Sequence, residues 1–175
     1  ITSATPTVLG FTKDKRDKAG KQFMDVGIAE ETAAAIASGI AVNGGRPVWG
    51  VYSTFVQRAY DQISQDICIN NSPATIVTFS GSVYGMNDVT HLGLYDIPML
   101  SNIPNLVYLA PTTKEEYLAM LDWSIEQTEH PVAIKLPGGE MVSDGKQITK
   151  DFSVLNKYEM TQQGKKVAFI GLRTF

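Results

Sequence analysis

The chain has 175 residues, of which 43% are apolar and 19% charged, and its formal net charge is −3. This composition fits one sizeable globular domain, and without a long basic run it argues against nucleic acid or an anionic membrane as a partner. With Cys68 as its one cysteine, no signal-peptide pattern and no run of about 18 apolar residues, the sequence predicts a cytoplasmic protein without an intrachain disulfide.

The first part of the chain combines short extended segments with helix patterns. Residues 1–4 are typical of the end of a strand, and residues 12–18 of a charged, solvated segment or a short helix. A strand is predicted over residues 22–26 and a helix over residues 29–43. The Asn-Gly-Gly sequence at 43–45 ends that helix, as Asn and Gly do at a left-handed C-cap.

The helix predicted over 29–43 has two kinds of face. Ile28, Ile36 and Ile40 share an apolar face, whereas small residues fill positions 33–35 and 37–39. Small side chains let another helix approach closely. That helix could belong to the same domain or to a second subunit, and the residues alone leave both explanations open.

The rest of the chain repeats the strand–helix pattern. Strands are predicted over residues 47–52, 74–79, 106–109 and 131–136, and a last one over 166–172. Helices are predicted over 55–69, capped by Ser53 or Thr54, and from a Thr112–Glu115 capping box to about Thr128. A long loop is predicted over 80–96 and an irregular stretch over 140–166. Such alternation predicts an α/β fold with a parallel sheet covered by helices on both faces.

Four places could carry chemistry, because each lies near the end of a predicted strand, where parallel α/β proteins bind ligands. They are the acidic pair Glu30 and Glu31, the segment Tyr52–Gln62, Thr90–His91 in the long loop, and Leu136–Gly139. Each also has an ordinary structural explanation. First-turn glutamates complement the helix dipole, aromatic residues fill cores, and a histidine or a Pro-Gly-Gly turn is often structural.

The segment Tyr52–Gln62 has a further pattern. Tyr52, Phe55 and Arg58 follow one another at intervals of three, so that Phe55 and Arg58 can share a helix face. Two aromatic rings with an arginine can form a slot for a flat ring.

Three blocks in a fixed order carry a family resemblance. Asp25–Glu30 reads DVGIAE, Tyr52–Gln62 reads YSTFVQRAYDQ and Thr90–Gly93 reads THLG. In this order and spacing they resemble the central domain of the 1-deoxy-D-xylulose-5-phosphate synthase family, and more broadly the pyrimidine-binding domain of the transketolase family.

The resemblance implies a thiamine diphosphate enzyme that works as a homodimer. The cofactor would lie between this domain and a separate diphosphate-binding domain or subunit, which would also hold the Mg²⁺. Glu30 matches the family's catalytic glutamate, which bonds the pyrimidine nitrogen N1′, and His91 matches a histidine that faces the reacting carbons. The implied site consists of Glu30 and His91 as catalytic groups and Glu30, Tyr52, Phe55 and Arg58 as contacts of the cofactor.

The substrate side departs from the family pattern. The synthases usually carry arginines, associated with the sugar phosphate, where this chain has Ser80 and Gly138, and Asn87 stands where an aspartate is common. Serine and glycine cannot replace a bidentate arginine–phosphate contact. With His91, Asn87 and Ser80 as the implied substrate contacts, we expect a small sugar or keto-acid substrate other than glyceraldehyde 3-phosphate.

The leading hypothesis is the pyrimidine-binding half of a thiamine diphosphate-dependent ketol or acyl transferase. The resemblance covers residues 1–140 and implies a linker over 141–165 and the first strand of a truncated C-terminal domain over 166–175. The sequence contains no Gly-Asp-Gly…Asn-type metal–diphosphate motif, so this chain alone is expected to be inactive.

Two alternatives stay open. The first is a catalytically silent scaffold that keeps the fold and the dimer interface, suggested by the two missing arginines. The second is the β subunit of the decarboxylating component of a 2-oxo acid dehydrogenase, which shares the fold.

Overall fold

A single parallel sheet organises the molecule. The computed structural model describes residues 1–80, 89–157, 160 and 162–168. The four strands of this part are β1 (Val48–Tyr52), β2 (Thr75–Phe79), β3 (Val107–Leu109) and β4 (Val132–Lys135). They are all parallel and lie in the order β1-β2-β4-β3. Their mostly apolar runs suit strands that are covered on both faces. The predicted parallel α/β fold is confirmed.

Five α-helices belong to the described residues. They are α1 (Lys13–Ala19), α2 (Glu30–Val42), α3 (Tyr60–Gln62), α4 (Asp96–Ser101) and α5 (Lys114–Glu126). Short 3₁₀ turns occur at Gly20–Gln22, Val56–Ala59 and Val89–His91, and a π-helix at Ile63–Ile69. These segments join the strands across the sheet and supply the layers that cover it. Within this part of the chain, no helix is both long and apolar enough to cross a membrane.

The strand register divides the core between the two faces of the sheet, because successive side chains of a strand point to opposite sides. One register row consists of Trp49, Ile76, Ala133 and Tyr108. This row packs in the hydrophobic cluster that includes residues of α2, α4 and the Val56–Ile69 segment. We call the side of the sheet that carries this cluster the site face. The next row consists of Gly50, Val77, Ile134 and Leu109. Its members Ile134 and Leu109 pack in the second cluster with α5 on the opposite face.

Helix α2 packs on the core with its small residues. Ala33, Ala34, Ala37, Ser38 and Ala41 are buried. The helix lies against the π-helix Ile63–Ile69, and the Ser38 hydroxyl donates to the Asp66 carbonyl across 2.7 Å. Small residues therefore allow close packing within the domain, the first of the two explanations that the sequence leaves open. The isoleucine face points outward, since Ile28 is 78% exposed and Ile40 36%.

The strand that the sequence predicts over residues 22–26 is wrong. Gln22 closes a 3₁₀ turn, and Asp25 alone forms an isolated bridge, with Thr2. Thr2 also bridges Gly50, so the opening segment lies between Asp25 and β1. Gly20 and Gly27 have φ angles of 54° and 72°, which interrupt an extended run on either side.

The helix predicted over 55–69 is present but is not one regular α-helix. The 3₁₀ turn Val56–Ala59 leads directly into α3 and then into the π-helix Ile63–Ile69. The predicted cap at Ser53 or Thr54 is wrong, because neither side chain caps this segment. The Thr54 hydroxyl instead donates to the Thr90 carbonyl across 2.8 Å.

Helix α5 is capped one residue later than the sequence predicts. Thr113 has the extended backbone of an N-cap, and its hydroxyl accepts from the Glu116 amide at 3.2 Å. The Glu116 carboxylate accepts from the Thr112 amide at 2.7 Å. Glu115 is turned away from the cap and bonds Ser143 and Asp144 instead.

The segment after β4 is irregular, as predicted. Phe152 is buried against Trp123 of α5, with ring centroids 6.3 Å apart, so this segment covers part of the second cluster. Of the strand predicted over 166–172, residues 166–168 have no strand structure, and residues 169–172 lie outside the described part of the chain.

Candidate functional site

Glu30 is the first residue of α2 and is only 2% exposed. The turn before it is held by local contacts. The Asp25 carboxylate accepts from the Thr2 hydroxyl and the Ala4 amide, each at 3.1 Å, and Gly27 has the left-handed φ of 72° that the turn requires. The fixed turn places an ionisable group in a nearly dry position, where it needs a partner.

Arg58 provides that partner. Its Nη1 donates to Oε2 of Glu30 across 3.3 Å, and the side chain remains 46% exposed. The guanidinium carbon also lies 4.8 Å from the centroid of the Phe55 ring, within the range of a cation–π contact. One arginine therefore links the buried carboxylate of α2 to the aromatic side chains that follow β1.

Three rings meet at right angles beside this pair. The Tyr52 and Phe55 centroids are 6.0 Å apart, those of Phe55 and His91 5.1 Å, and those of Tyr52 and His91 6.5 Å, with interplanar angles of 83–89°. Edge-to-face contacts of this kind are favourable for aromatic groups. All three residues are half-buried, so each keeps surface that a bound molecule could cover.

His91 is oriented by its neighbour. Its Nδ1 lies 2.7 Å from the Thr90 hydroxyl oxygen, and the Thr90 carbonyl accepts the hydrogen bond from Thr54. The 3₁₀ turn Val89–His91 is thus tied to the residues that follow β1. The structure brings Glu30, Tyr52, Phe55, Arg58 and His91 together, which we call the five-residue cluster.

The other candidate residues are Ser80, Gly138, Asn87 and Glu31. Ser80 follows β2 directly, with a φ of 56°, and Gly138 comes three residues after β4. Within the described part of the chain, neither makes a hydrogen bond to the five-residue cluster. Asn87 lies outside the described residues. Glu31 is exposed in the first turn of α2, where it complements the helix dipole.

Lys135 and Asp96 form a buried ion pair that the sequence patterns do not predict. Lys135 Nζ lies 2.5 Å from Oδ2 of Asp96, and the two side chains are 8% and 0% exposed. A lysine at the end of the apolar strand β4 is the available signal, because a buried lysine needs an acidic partner. The sequence gives no indication of which acid it is.

The five-residue cluster has a defined chemical character. A buried carboxyl group can accept a hydrogen bond from a ring nitrogen when ionised or donate one when protonated, the aromatic side chains can cover a flat heterocycle, and a histidine can transfer a proton near neutral pH. Among the described residues, no group of three or more His, Cys, Asp or Glu side chains is placed to hold a metal ion. The cluster therefore suits an organic, nitrogen-containing ring with a proton to exchange.

A family model and two sets of known proteins match the chain. The model described as transketolase, pyrimidine binding domain, matches residues 4–141. The 1-deoxy-D-xylulose-5-phosphate synthase of Clostridium botulinum (strain Alaska E43) is 39% identical over 170 residues, which cover 97% of this chain and 27% of that protein. The synthase of Gloeothece citriformis is 43% identical over 139 residues, which cover 79% of this chain and 22% of that protein. The chain thus spans about a quarter of the length of these curated relatives.

Two solved structures share the fold. A split gene transketolase, in an inactive beta4 tetramer, has a TM-score of 0.67 and 22% identity, and the match covers 84% of this chain and 48% of that one. The transketolase from Leishmania mexicana has a TM-score of 0.71 and 16% identity, with 83% of this chain and 23% of that one covered. At such low identity these structures support the fold alone.

Proposed function

The chain belongs to the transketolase family, as its pyrimidine-binding domain, and from this membership we propose that it forms the pyrimidine half of a thiamine diphosphate site. The enzyme would transfer a two-carbon ketol or acyl unit to an aldehyde. The observation that carries the proposal is the position of Glu30, which is buried and paired with Arg58. The Arg58 guanidinium also contacts the Phe55 ring, which packs against His91.

The residues present fit an aminopyrimidine. Glu30 offers a carboxyl oxygen for a hydrogen bond to a ring nitrogen, and the half-buried rings of Tyr52 and Phe55 offer apolar surface. Arg58 balances the negative charge of Glu30, whose burial would otherwise be costly. When bound, thiamine diphosphate supplies an acidic thiazolium carbon that carries the two-carbon unit.

Glu30 holds or releases a proton at its carboxyl oxygen toward the pyrimidine nitrogen. Its burial excludes water, so that the proton passes between the carboxyl group and the bound ring instead of exchanging with solvent. Arg58 stabilises the ionised form between transfers and keeps Oε2 in place.

His91 acts on the substrate side. Its ring contacts Phe55 and Tyr52, and the Thr90 hydroxyl beside Nδ1 fixes the plane of the imidazole. An oriented histidine can bind a substrate hydroxyl or move a proton at a ring nitrogen. Asn87 and Ser80 are proposed as further substrate contacts on the basis of the family pattern.

The rest of the active site would come from elsewhere. We propose that a diphosphate-binding domain or subunit holds the diphosphate and Mg²⁺, and that the enzyme is a homodimer. The outward position of Ile28, just before α2, and of Ile40, on α2, supports a second chain on that side, because exposed apolar faces commonly mark contacts. The proposed division of this chain is 1–140 as the domain, 141–165 as a linker and 166–175 as the start of a further domain.

The substrate proposal follows from the two positions without arginine. Ser80 and Gly138 offer no cation to a sugar phosphate, which favours a small sugar or keto acid whose recognition does not depend on those two anchors. The free and buried thiol of Cys68 is consistent with the reducing cytoplasm, where we place the enzyme. The intact five-residue cluster favours an active enzyme over a silent scaffold.

The test uses the chain assembled with its diphosphate-binding partner, thiamine diphosphate, Mg²⁺, a ketose or keto-acid donor and an aldehyde. We expect Glu30→Gln to lower kcat by roughly 10²–10⁴-fold, the usual contribution of a positioned acid or base. Glu31→Gln is the matched control, since it changes the adjacent exposed glutamate, and should behave like wild type. Equal activity of Glu30→Gln and wild type would refute the assignment, as would full activity of this chain alone.

A further inference from the structure

The buried ion pair of Lys135 and Asp96 lies on the site face of the sheet. Val51, Thr78 and Lys135 form one register row, two positions along from the apolar row of Trp49 and Ile76, so their side chains share that face. Lys135 is also the last residue of β4, next to the carboxyl edge of the sheet. Lys135 therefore projects from the end of β4 toward the layer that holds α2 and α4.

Asp96 connects this strand to the histidine. It is the first residue of α4 and comes five residues after His91. Helix α4 packs against the Val56–Ala59 turn, which carries Arg58. Met99 and Leu100 of α4, and Ile103 just after it, pack in the core of the site face. The start of α4 is thus held between β4 and the elements that carry the site.

The segment with His91 is anchored on both sides. Before the histidine, the Thr54 hydroxyl holds the Thr90 carbonyl. After it, Lys135 holds Asp96. Two fixed points this close in sequence leave little freedom for the imidazole, which must keep its contacts with Phe55 and Tyr52.

A buried ion pair is by itself weak evidence for a gain in stability. Taking two charges out of water costs several kcal/mol per ion, and apolar residues of similar volume are often equally or more stabilising. An ion pair also fixes geometry, because a charge-assisted hydrogen bond holds two particular atoms together, whereas apolar side chains can shift against each other.

We propose that Lys135 is a positioning residue, which acts through Asp96 to fix the start of α4 and thereby holds His91 in its place in the cluster. The catalytic consequence rests on the proposed function of His91. The placement of the His91 imidazole does not rest on that function, and it can be tested in the absence of any cofactor.

The main variant replaces both charges with apolar side chains, Lys135→Met with Asp96→Leu, so that no charge is left buried alone. Asp96→Asn, which keeps the shape of the side chain, is measured in parallel in case the double variant does not fold. Lys135→Arg keeps the positive charge and should behave like wild type. Tyr60→Phe is the matched control, because it removes the 2.8 Å hydrogen bond to Asn102 at the far end of α4.

The first readout is the set of histidine ring resonances in the 175-residue chain, which contains two histidines, His91 and His130. His91→Gln assigns the peaks, and His130 at the opposite end of β4 is the internal reference. We expect the ion-pair variants to shift the His91 resonance and leave His130 unchanged, with thermal unfolding close to that of wild type. Tyr60→Phe should shift neither. An unmoved His91 resonance in a folded ion-pair variant would overturn the proposal.

The second readout is steady-state kinetics of the assembled enzyme. A small displacement of His91 is expected to lower kcat by roughly 10–100-fold with little change in cofactor affinity. If the wild-type assembly transfers no two-carbon unit, the proposed function fails, and the resonance measurement still decides the positioning role. If the enzyme is active and kcat is unchanged in the ion-pair variants, Lys135 has no positioning role in catalysis.

Discussion

Arg58 donates a hydrogen bond to Glu30 across 3.3 Å, although 28 residues separate the two in the chain. We expect Arg58→Met to lower the free energy of unfolding by about 1–3 kcal/mol at neutral pH, because it leaves a buried carboxylate without its charged partner. Adding Glu30→Gln should recover part of that loss. Urea denaturation measures both, and Arg46→Met, at an exposed arginine, is the control. A fully stable Arg58→Met variant would show that the pair does not compensate the burial of Glu30.

The Phe55 ring contacts both the Arg58 guanidinium and the His91 ring. Phe55→Leu keeps an apolar side chain but loses the aromatic contacts, which are worth about 0.5–1.5 kcal/mol. We therefore expect the Kd for thiamine diphosphate in the assembled enzyme to rise roughly 2–12-fold. Fluorescence titration measures it. Phe152→Leu, on the opposite face of the sheet, should bind the cofactor as wild type does, and equal effects of the two substitutions would contradict the assigned slot.

Helix α2 offers two glycines that should respond in opposite directions to the same added methyl group. Gly39 lies in the helix with open space around its Cβ position, so Gly39→Ala should stabilise the chain by about 0.5–1 kcal/mol. Gly44 follows the helix with a φ of 80°, and the amides of Gly44 and Gly45 bond the carbonyls of Ala41 and Ile40.

Gly44→Ala should therefore destabilise the chain by about 1–2 kcal/mol, the usual cost of a left-handed alanine. Thermal denaturation of the two variants side by side tests the C-cap directly. If Gly39→Ala instead weakens assembly with a partner while the isolated chain gains stability, the outer face of α2 lies in an interface.

The bonds from Glu115 to the segment after β4 should depend on pH. Hydrogen bonds from the Ser143 hydroxyl and from nearby backbone groups lower the pKa of Glu115 to about 2. A folded pKa below the unfolded value means that the contribution to stability is present above the ordinary glutamate range and is lost as the pH falls toward 2.

Glu115→Gln should therefore lower the midpoint of thermal unfolding at pH 7 and have a progressively smaller effect in acid. Amide exchange at Asp144, whose N–H donates to Glu115, reports the same contact locally. Glu140→Gln serves as an exposed control. A difference between Glu115→Gln and wild type that is as large at pH 2 as at pH 7 would mean that the charge of Glu115 is not what holds the segment.

Local patterns predict the features of this molecule that depend on neighbouring residues. The strands β1, β2 and β4 lack the alternation of polar and apolar residues because they are buried on both faces, and this pattern is visible without a structure. The cluster residues Glu30 and Arg58 could be identified because family motifs keep them in fixed sequence positions. Their direct contact, however, is a result of the fold.

The features that the sequence does not predict depend on distant contacts. The Val56–Ile69 segment changes from 3₁₀ to α to π geometry while it packs against α2, and the Ser38 bond to Asp66 is part of that packing. The partner of Lys135 is an aspartate 39 residues away, brought close by α4. Neither relationship has a periodicity that a linear sequence could show.

The strand order also sets the order in which the molecule can be completed during synthesis. β4 lies between β2 and β3, and within the described residues β3 pairs with no other strand. During synthesis, β3 has no strand to pair with until β4, some 25 residues later, has left the ribosome. An unpaired strand edge is a site of mispairing. Asp96 likewise cannot form its ion pair until Lys135, the last residue of β4, has been synthesised.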